Sequence, residues 1–345
     1  MSVQYELVAD FHLRDLSAPI LVAPMAGGPS TPELAAAGSS AGALGFVAAG
    51  YLSADAFGEK LAAARALTTE ALGANLFVPG PSAAVAAAVE AYAHELAAEA
   101  ERYDVRLGDP RFDDDAWAAK LEVLLDLRPE VVSFTFGLPS AAECARLRDA
   151  GMVTLATVTT LVEAERAVAC GVDGLVAQGP AAGGHRGTFD PVADPASQPL
   201  EQLLHAVSVG TDLPVVAAGG LMTAADVAGV LAGGAVAAQL GTAFLLADEA
   251  GSSPVHRAAL TSPEFTETTV TRAFSGRFAR GLRNRFIDEH EDGAPFGYPE
   301  IHYLTSPLRK ASVAAGDPHA TNVWAGTGFR RAQSGSAAEI VAALT

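Results

Sequence analysis

The residue with the most chemistry within reach is a histidine that has little to pack on. His185 stands in the run Gly183-Gly184-His185-Arg186-Gly187, inside a loop of glycine, proline and alanine that follows the apolar run 174–177 and Gln178. Glycine has no Cβ, so such a loop lets bare backbone approach a ligand. An imidazole held there can bond to a ligand or move a proton near neutral pH. The alternative role is a histidine that closes a tight turn. Three carboxamides, Asn75, Gln178 and Gln239, end other apolar runs. Each offers a donor and an acceptor, which suits the mixed edge of a heterocycle; the alternative is that each satisfies nearby backbone. Glycines close two successive later runs, at Gly219-Gly220 and at Gln239-Leu240-Gly241-Thr242. Backbone N–H groups at such ends can cradle an anion such as phosphate. A flavin fits both signals, with its ring edge of donors and acceptors and a phosphate on its tail. No GxGxxG follows an early strand, and no GxxxxGK[ST], HExxH or GxSxG is present, so other nucleotide, zinc and serine-hydrolase sites are not supported.

These groups need elements to hold them. Apolar runs at 19–24, 44–49, 72–77, 131–136, 153–158, 174–177, 213–218 and 235–240 alternate with stretches of helical spacing. Ser30 or Thr31, Ser53 and Thr223 stand where helix N-caps are expected, with Pro32 in a first turn. The runs are continuously apolar, as in a parallel sheet covered by helices on both faces. Eight β/α units in about 250 residues favour a closed TIM barrel over an open doubly wound sheet, and the site of such a barrel lies at the C-terminal ends of its strands. All the groups above fall at such ends, joined by Ala23, Pro24 and Met25 after the first run. A long alanine-rich helix is expected over 82–103. Beyond 247 the rhythm breaks: 248–318 is richer in Thr, Arg, Pro and Phe. The expected organisation is a barrel of 1–247 completed by 319–345, whose last helix begins at Ser336, with 248–318 as a smaller inserted subdomain on the substrate side.

Half of the 345 residues are hydrophobic and 18% are charged, which suits a large core and argues against disorder. A net charge of −18 argues against nucleic acid or an anionic membrane as partner. No apolar run approaches the ~20 residues of a membrane span. The first residues lack a basic region followed by an apolar one, so a cytoplasmic location is expected. Cys144 and Cys170 read as reduced thiols inside helices, without metal-ligand spacing. Asp113-Asp114-Asp115 reads as a solvated loop before a helix, not a metal site; no metal is expected. Arg272, Arg277, Arg280, Arg283 and Arg285 form the one basic island, either steering anionic substrates or, the preferred reading, pairing with surface acids. Tyr298 and Tyr303 read as subdomain core rather than pocket wall.

The segments APMAGGPSTPELAAAGSSAGALGF, GANLFVPG, AQGPAAGGHRGT, PVVAAGGL, AQLGTAFLL, SGRFARGLRN and WAGTG together resemble the nitronate monooxygenase family, also called 2-nitropropane dioxygenases, and are class I-like. The resemblance spans about 19–328. It implies a TIM barrel with an insert near its C-terminal end, noncovalent FMN, and oxidation of alkyl nitronates such as propionate 3-nitronate by O₂ to a carbonyl compound and nitrite. FMN contacts would fall on Asn75, Gln178, Gly183, Gly184, Gly219, Gly220, Gln239, Leu240, Gly241 and Thr242, with Ala23, Pro24 and Met25 against the ring. The catalytic histidine would be His185, orienting the nitronate, stabilising its charge if protonated, or acting as base on a neutral nitroalkane. Family members often carry SFHFG where this chain has Ser133-Phe134-Thr135-Phe136-Gly137, so a second imidazole is missing there. Partners would be a small anionic nitronate and O₂, with the chain a monomer or homodimer. Two other readings stand: an NAD(P)H-dependent FMN quinone or enoyl-thioester reductase on the same barrel, and a non-catalytic barrel that binds a phosphorylated small molecule.

Overall fold

The side-chain oxygen of Thr31 accepts a hydrogen bond from the Leu34 N–H at 2.9 Å and Pro32 takes the first turn, so the first helix starts where its sequence says it must. The computed structural model describes residues 11–345; the first ten, assigned from sequence to the barrel domain, lie outside the described residues. Strands and helices then alternate: β1 (Ile20–Val22), α1 (Pro32–Ser40), β2 (Leu44–Ala48), α2 (Ala54–Leu67), β3 (Leu72–Phe77), α3 (Ala86–Glu95), α4 (Ala97–Arg102), α5 (Trp117–Leu127), β4 (Val131–Thr135), α6 (Ala141–Asp149), β5 (Val153–Val158), α7 (Leu161–Cys170), β6 (Gly174–Gln178), β7 (Gly184–His185), α8 (Leu200–Gly210), β8 (Val215–Ala218), α9 (Ala224–Ala232) and β9 (Ala237–Leu240). Eight of these strands close a barrel in the order β1-β2-β3-β4-β5-β6-β8-β9, and β9 pairs back onto β1 in parallel register. Full closure leaves no sheet edge. Leu21, Phe46, Leu155, Val176 and Val216, from well-separated strands, gather in one buried cluster with Leu13. Strands across a barrel can meet only inside it, so these side chains fill its interior.

The rest is α10 (Pro254–Thr261), β10 (Thr268–Thr271), β11 (Ala279–Leu282), α11 (Arg285–His290), α12 (Glu300–Ala314) and α13 (Ala337–Leu344). Helix α13 begins with a capping box, Ser336 with Glu339, and packs against α1 and α9. The segment 248–318, expected as an insert, holds a hairpin that its composition did not announce. β10 and β11 are antiparallel, and β11 pairs on its other edge with β7, Ala279 opposite His185 and Arg280 opposite Gly184. One apolar cluster combines Val89, Tyr92, Leu96 and Ala100 with Phe274, Phe286, Ile301, Leu304 and Leu308, so the insert's core draws on α3 and the segment around α4. The expected single helix over 82–103 is two: it starts only at Ala86 and is interrupted at Leu96.

The acidic triplet is less solvated than expected. Asp115 Oδ2 lies 2.7 Å from the Nζ of Lys120, which is buried and also donates to the Ala49 carbonyl at 3.0 Å. Asp115 Oδ1 accepts from the Tyr51 N–H, and Asp113 accepts from the Tyr303 hydroxyl. The triplet therefore ties the loop after β2 to α12, and its position five residues before an apolar-face lysine gave no sign of that pairing. Cys144 and Cys170 are free, as expected, but their Sγ atoms lie 3.8 Å apart. Among the described residues no helix is long and apolar enough to cross a membrane.

Candidate active site

A cavity of about 770 Å³ opens at the C-terminal ends of the barrel strands, within the range of small-molecule sites. Its wall includes every residue that the sequence assigned to a cofactor or a catalytic role: Ala23, Pro24, Met25, Asn75, Gln178, Gly183, Gly184, His185, Gly219, Gly220, Gln239, Leu240, Gly241 and Thr242.

The histidine loop is not free. Its backbone is the outer strand of the β10-β11-β7 sheet, and the next residue, Arg186, donates its N–H to the Phe278 carbonyl at 2.8 Å. Gln178 clamps the loop from beneath, giving its amide N–H to the His185 carbonyl at 3.1 Å and accepting from the Gly187 N–H at 2.9 Å. Both polar ends of Gln178 are thereby used by its own loop. Gly184 has φ +73°, which favours glycine, and a Cβ on Gly183 would fall 2.4 Å from the Gly326 nitrogen. The loop's two glycines thus answer to backbone geometry and to close packing against the 324–328 segment.

The imidazole of His185 is half-buried among Phe136, Tyr298 and Trp324, with ring centroids 5.5 to 5.7 Å away. Its Nε2 lies 2.9 Å from Ser275 Oγ, whose single proton goes to the Arg277 carbonyl at 3.1 Å. That leaves Ser275 Oγ to accept, so Nε2 carries the imidazole proton and Nδ1 keeps its lone pair. Burial above all, then the charges of Arg277 and Arg309, push His185 down to about 3. The imidazole is therefore neutral at physiological pH, and the charge-stabilising role expected of a protonated His185 is not supported by its surroundings.

Three guanidiniums lie near this neutral group, those of Arg186 and Arg277 buried and that of Arg309 half-buried at the cavity wall. Arg186 bonds to the Gly179 and Gln178 carbonyls. Arg277 bonds to the Thr188 carbonyl and lies 4.1 Å from the Phe136 ring centroid. Arg309 bonds to Thr305 Oγ1, Asn322 Oδ1 and the His302 carbonyl. Burial draws all three down, to about 10, which leaves them charged at neutral pH. The buried carboxylate of Glu163 reaches Arg186 and Arg277 only through its field, being bonded itself to Thr159 and Phe189. The basic island thus divides. Arg272, Arg283 and Arg285 pair with Glu291, with Glu267 and Asp288, and with Glu99 and Glu289, as preferred from sequence. Arg277 and Arg280 instead bond to loop carbonyls and brace the histidine loop.

The opposite wall suits a phosphate and a ring. Gly219 and Gly220 have φ +113° and +78°, and the N–H groups of Gly219, Gly220 and Gly241 have no partner among the described residues. Thr242 Oγ1 accepts from the Gly326 N–H at 2.9 Å, so its own proton is available. The Nδ2 of Asn75 is shared among Ser133 and Thr135 at 2.9 to 3.1 Å, leaving Oδ1 to accept. The Gln239 side chain lines the cavity with no hydrogen bond to another described residue.

Beside Arg309 and Trp324, four further residues of the site carried no signal in the sequence. Tyr51 (φ 68°) and Phe136 (φ 80°) are bulky residues in left-handed backbone at the ends of β2 and β4, a strain of about 1–3 kcal/mol each that clusters at functional sites. Ser275 lies in the SGR segment, and His302 comes from α12. Tyr298 donates its hydroxyl to Tyr51 at 3.2 Å and packs on His185, while Tyr303 lines the cavity, so neither is only subdomain core.

Known proteins place this arrangement. A family model described as nitronate monooxygenase matches residues 11–345. A nitronate monooxygenase of Paraburkholderia phytofirmans is 41% identical over 339 residues, covering 96% of this chain and 92% of that protein. The crystal structure of nitroalkane oxidase from Streptomyces ansochromogenes superposes with a TM-score of 0.92 at 49% identity, covering 96% of each chain. FabK from Thermotoga maritima shares the fold, with a TM-score of 0.74 at 23% identity over 96% of this chain and 93% of its own. With the barrel, the histidine loop and the glycine cradle in place, the match over the described chain is decisive: this protein belongs to the nitronate monooxygenase family.

Proposed function

We propose that the chain binds FMN and oxidises alkyl nitronates with O₂ to a carbonyl compound and nitrite. The observation that carries this reading is an excess of positive charge at the cavity around a neutral histidine: among the described residues its wall carries Arg111, Arg309 and Lys310 and no carboxylate, and Arg277 adds its field at His185. In a low-dielectric pocket such an excess favours an anionic ligand. The residues fit the cofactor. Gly219, Gly220, Gly241 and the Thr242 hydroxyl would hold its phosphate, Ala23, Pro24 and Met25 would lie along the ring, and Gln239 with Asn75 Oδ1 would meet the ring edge. Gln178 and Gly183 support this site indirectly by fixing the histidine loop. When bound, the flavin supplies the electron transfer between nitronate and O₂. His185 is placed to act as the base: with Nε2–H given to Ser275, Nδ1 can take the α-proton of a neutral nitroalkane that enters in place of its anion, and the nitronate anion formed beside the ring offsets the burial and the Arg charges that hold the free ring at about 3. The aromatic wall of Phe136, Tyr298 and Trp324 limits water around that transfer.

The test is anaerobic mixing of the FMN-loaded protein with a preformed nitronate and, separately, with NADH. Flavin bleaching by the nitronate alone is expected. Rapid bleaching by NADH with none by nitronate would replace this reading with a reductase on the same barrel.

A further inference from the structure

His185 lines the cavity with Nδ1 as its free nitrogen, and a lone pair cannot hold an anionic oxygen. A pocket for a nitronate therefore needs a hydrogen-bond donor elsewhere, and α12 carries one. His302 lines the cavity together with Tyr303, Ser306, Arg309 and Lys310. Its ring lies flat on Tyr51, with centroids 4.0 Å apart and planes 2° from parallel. Arg309 Nη2 is 3.3 Å from His302 Nδ1 and donates to the His302 carbonyl at 2.9 Å. A guanidinium has only donors, so Nδ1 must be the accepting nitrogen of the ring. A neutral imidazole has one N–H, which falls on Nε2, and Nε2 has no hydrogen-bond partner among the described residues. Burial, Arg309, His185 and Lys310 all oppose protonation of this ring. No acid faces it: Asp113 and Asp115 are engaged by Tyr303 and by Lys120.

We infer that His302 is a substrate-binding residue of this site, giving its Nε2–H to an oxygen of the nitronate while His185 Nδ1 faces the α-carbon. The two imidazoles are thus fixed in complementary roles by different neighbours, Ser275 for the acceptor and Arg309 for the donor. Strand β4, which ends in Thr135 with its hydroxyl bonded to Asn75, offers no imidazole. The inference rests on the nitronate reading, and it deepens that reading by naming what recognises the nitro group: a neutral donor, not a second cation.

The test compares FMN-loaded wild type with His302→Phe, which keeps a flat ring against Tyr51, and His302→Gln, which restores a side-chain N–H. Calorimetric titration with sodium nitrate, a planar anion shaped like the nitronate group, reads binding without turnover. In the Phe variant nitrate affinity is expected to fall about 10- to 100-fold, as for loss of a hydrogen bond to a charged group. Nitronate kcat/KM should fall by a similar factor, mainly through KM, and the Gln variant should stay within about threefold of wild type. Wild-type affinity in the Phe variant, or equal damage in the Gln and Phe variants, would overturn the proposal. Nitrogen-15 spectra of the wild-type imidazoles give a test that needs no variant. A protonated Nε2 and bare Nδ1 at His302 from pH 5 to 9 are expected, and the opposite tautomer would overturn it. A wild type that binds nitrate through His302 but does not oxidise nitronates would sink the functional reading while leaving this one standing.

Discussion

His185 shows how little of a side chain's chemistry lies in its type. Its surroundings, a hydroxyl already committed to the Arg277 carbonyl, a desolvating pocket and the charges of Arg277 and Arg309, fix which nitrogen is basic and hold the ring neutral. The consequence is a split between substrates. His185→Asn should lower kcat/KM for a neutral nitroalkane by about 10²- to 10⁴-fold, the range for loss of a general base, and affect a preformed nitronate much less. Steady-state rates on the two forms of one nitroalkane measure this, and equal losses on both would show that His185 acts on the anion instead. The glycines around His185 were enough to pick it out from the sequence. Its tautomer was not legible, because Ser275 lies ninety positions further along the chain. Of the three carboxamides, the sequence could not tell that Gln178 holds its loop while Gln239 is left facing the cavity: both end strands, and only the partners differ.

At the level of elements, the barrel was readable because each of its strands is one continuous apolar run bounded by a capped helix. The insert was not. β10 reads Thr268-Thr269-Val270-Thr271 and is half-exposed, and β11 carries Arg280 and Gly281, so neither has an apolar signature. Their pairing with two residues nearly a hundred positions earlier is set by docking rather than by local pattern. That pairing makes the histidine loop and the insert one unit, packed against the 324–328 segment through Gly183. A methyl group there would meet Gly326 N at 2.4 Å and Ala325 C at 2.5 Å, both backbone atoms that cannot swing aside. Gly183→Ala should therefore cost about 1–3 kcal/mol in urea unfolding, the range for overpacking, and weaken FMN retention on gel filtration. An unchanged midpoint with full flavin content would mean that the two segments separate easily.

For the whole molecule the arrangement of charge is inverted. A chain of net charge −18 surrounds a pocket whose charged lining side chains, Arg111, Arg309 and Lys310, are all cationic, a field that suits an anionic ligand. Acid pH exposes another property of the interior. His185, His256 and His302 are all half-buried at the cavity and held neutral, with His185 at about 3 and His256 at about 4. Each folded-state value lies below the unfolded value near ~6.5. The stability that these neutral rings preserve is therefore complete above about pH 6.5 and is lost as the pH falls towards the folded values. Between pH 6.5 and 5 the free energy of unfolding should fall, each ring contributing a slope that approaches about 1.4 kcal/mol per pH unit. Urea titrations at half-unit intervals measure the slope, and His256→Gln should remove about a third of it. A flat profile over that window would mean that water reaches these rings.

Helix α12 carries one consequence further. His302, Ser306, Arg309, Lys310 and Val313 recur at helical spacing and present a single face to the cavity. The loop that bears His185 and the glycine cradle belong to other parts of the chain. A lineage can therefore exchange residues along that one face, and so change what the pocket accepts, without rewriting the parts that run the reaction. Substrate choice then rests on a short run of one helix, with Arg309 as the point where that face touches the histidine loop through its charge on His185.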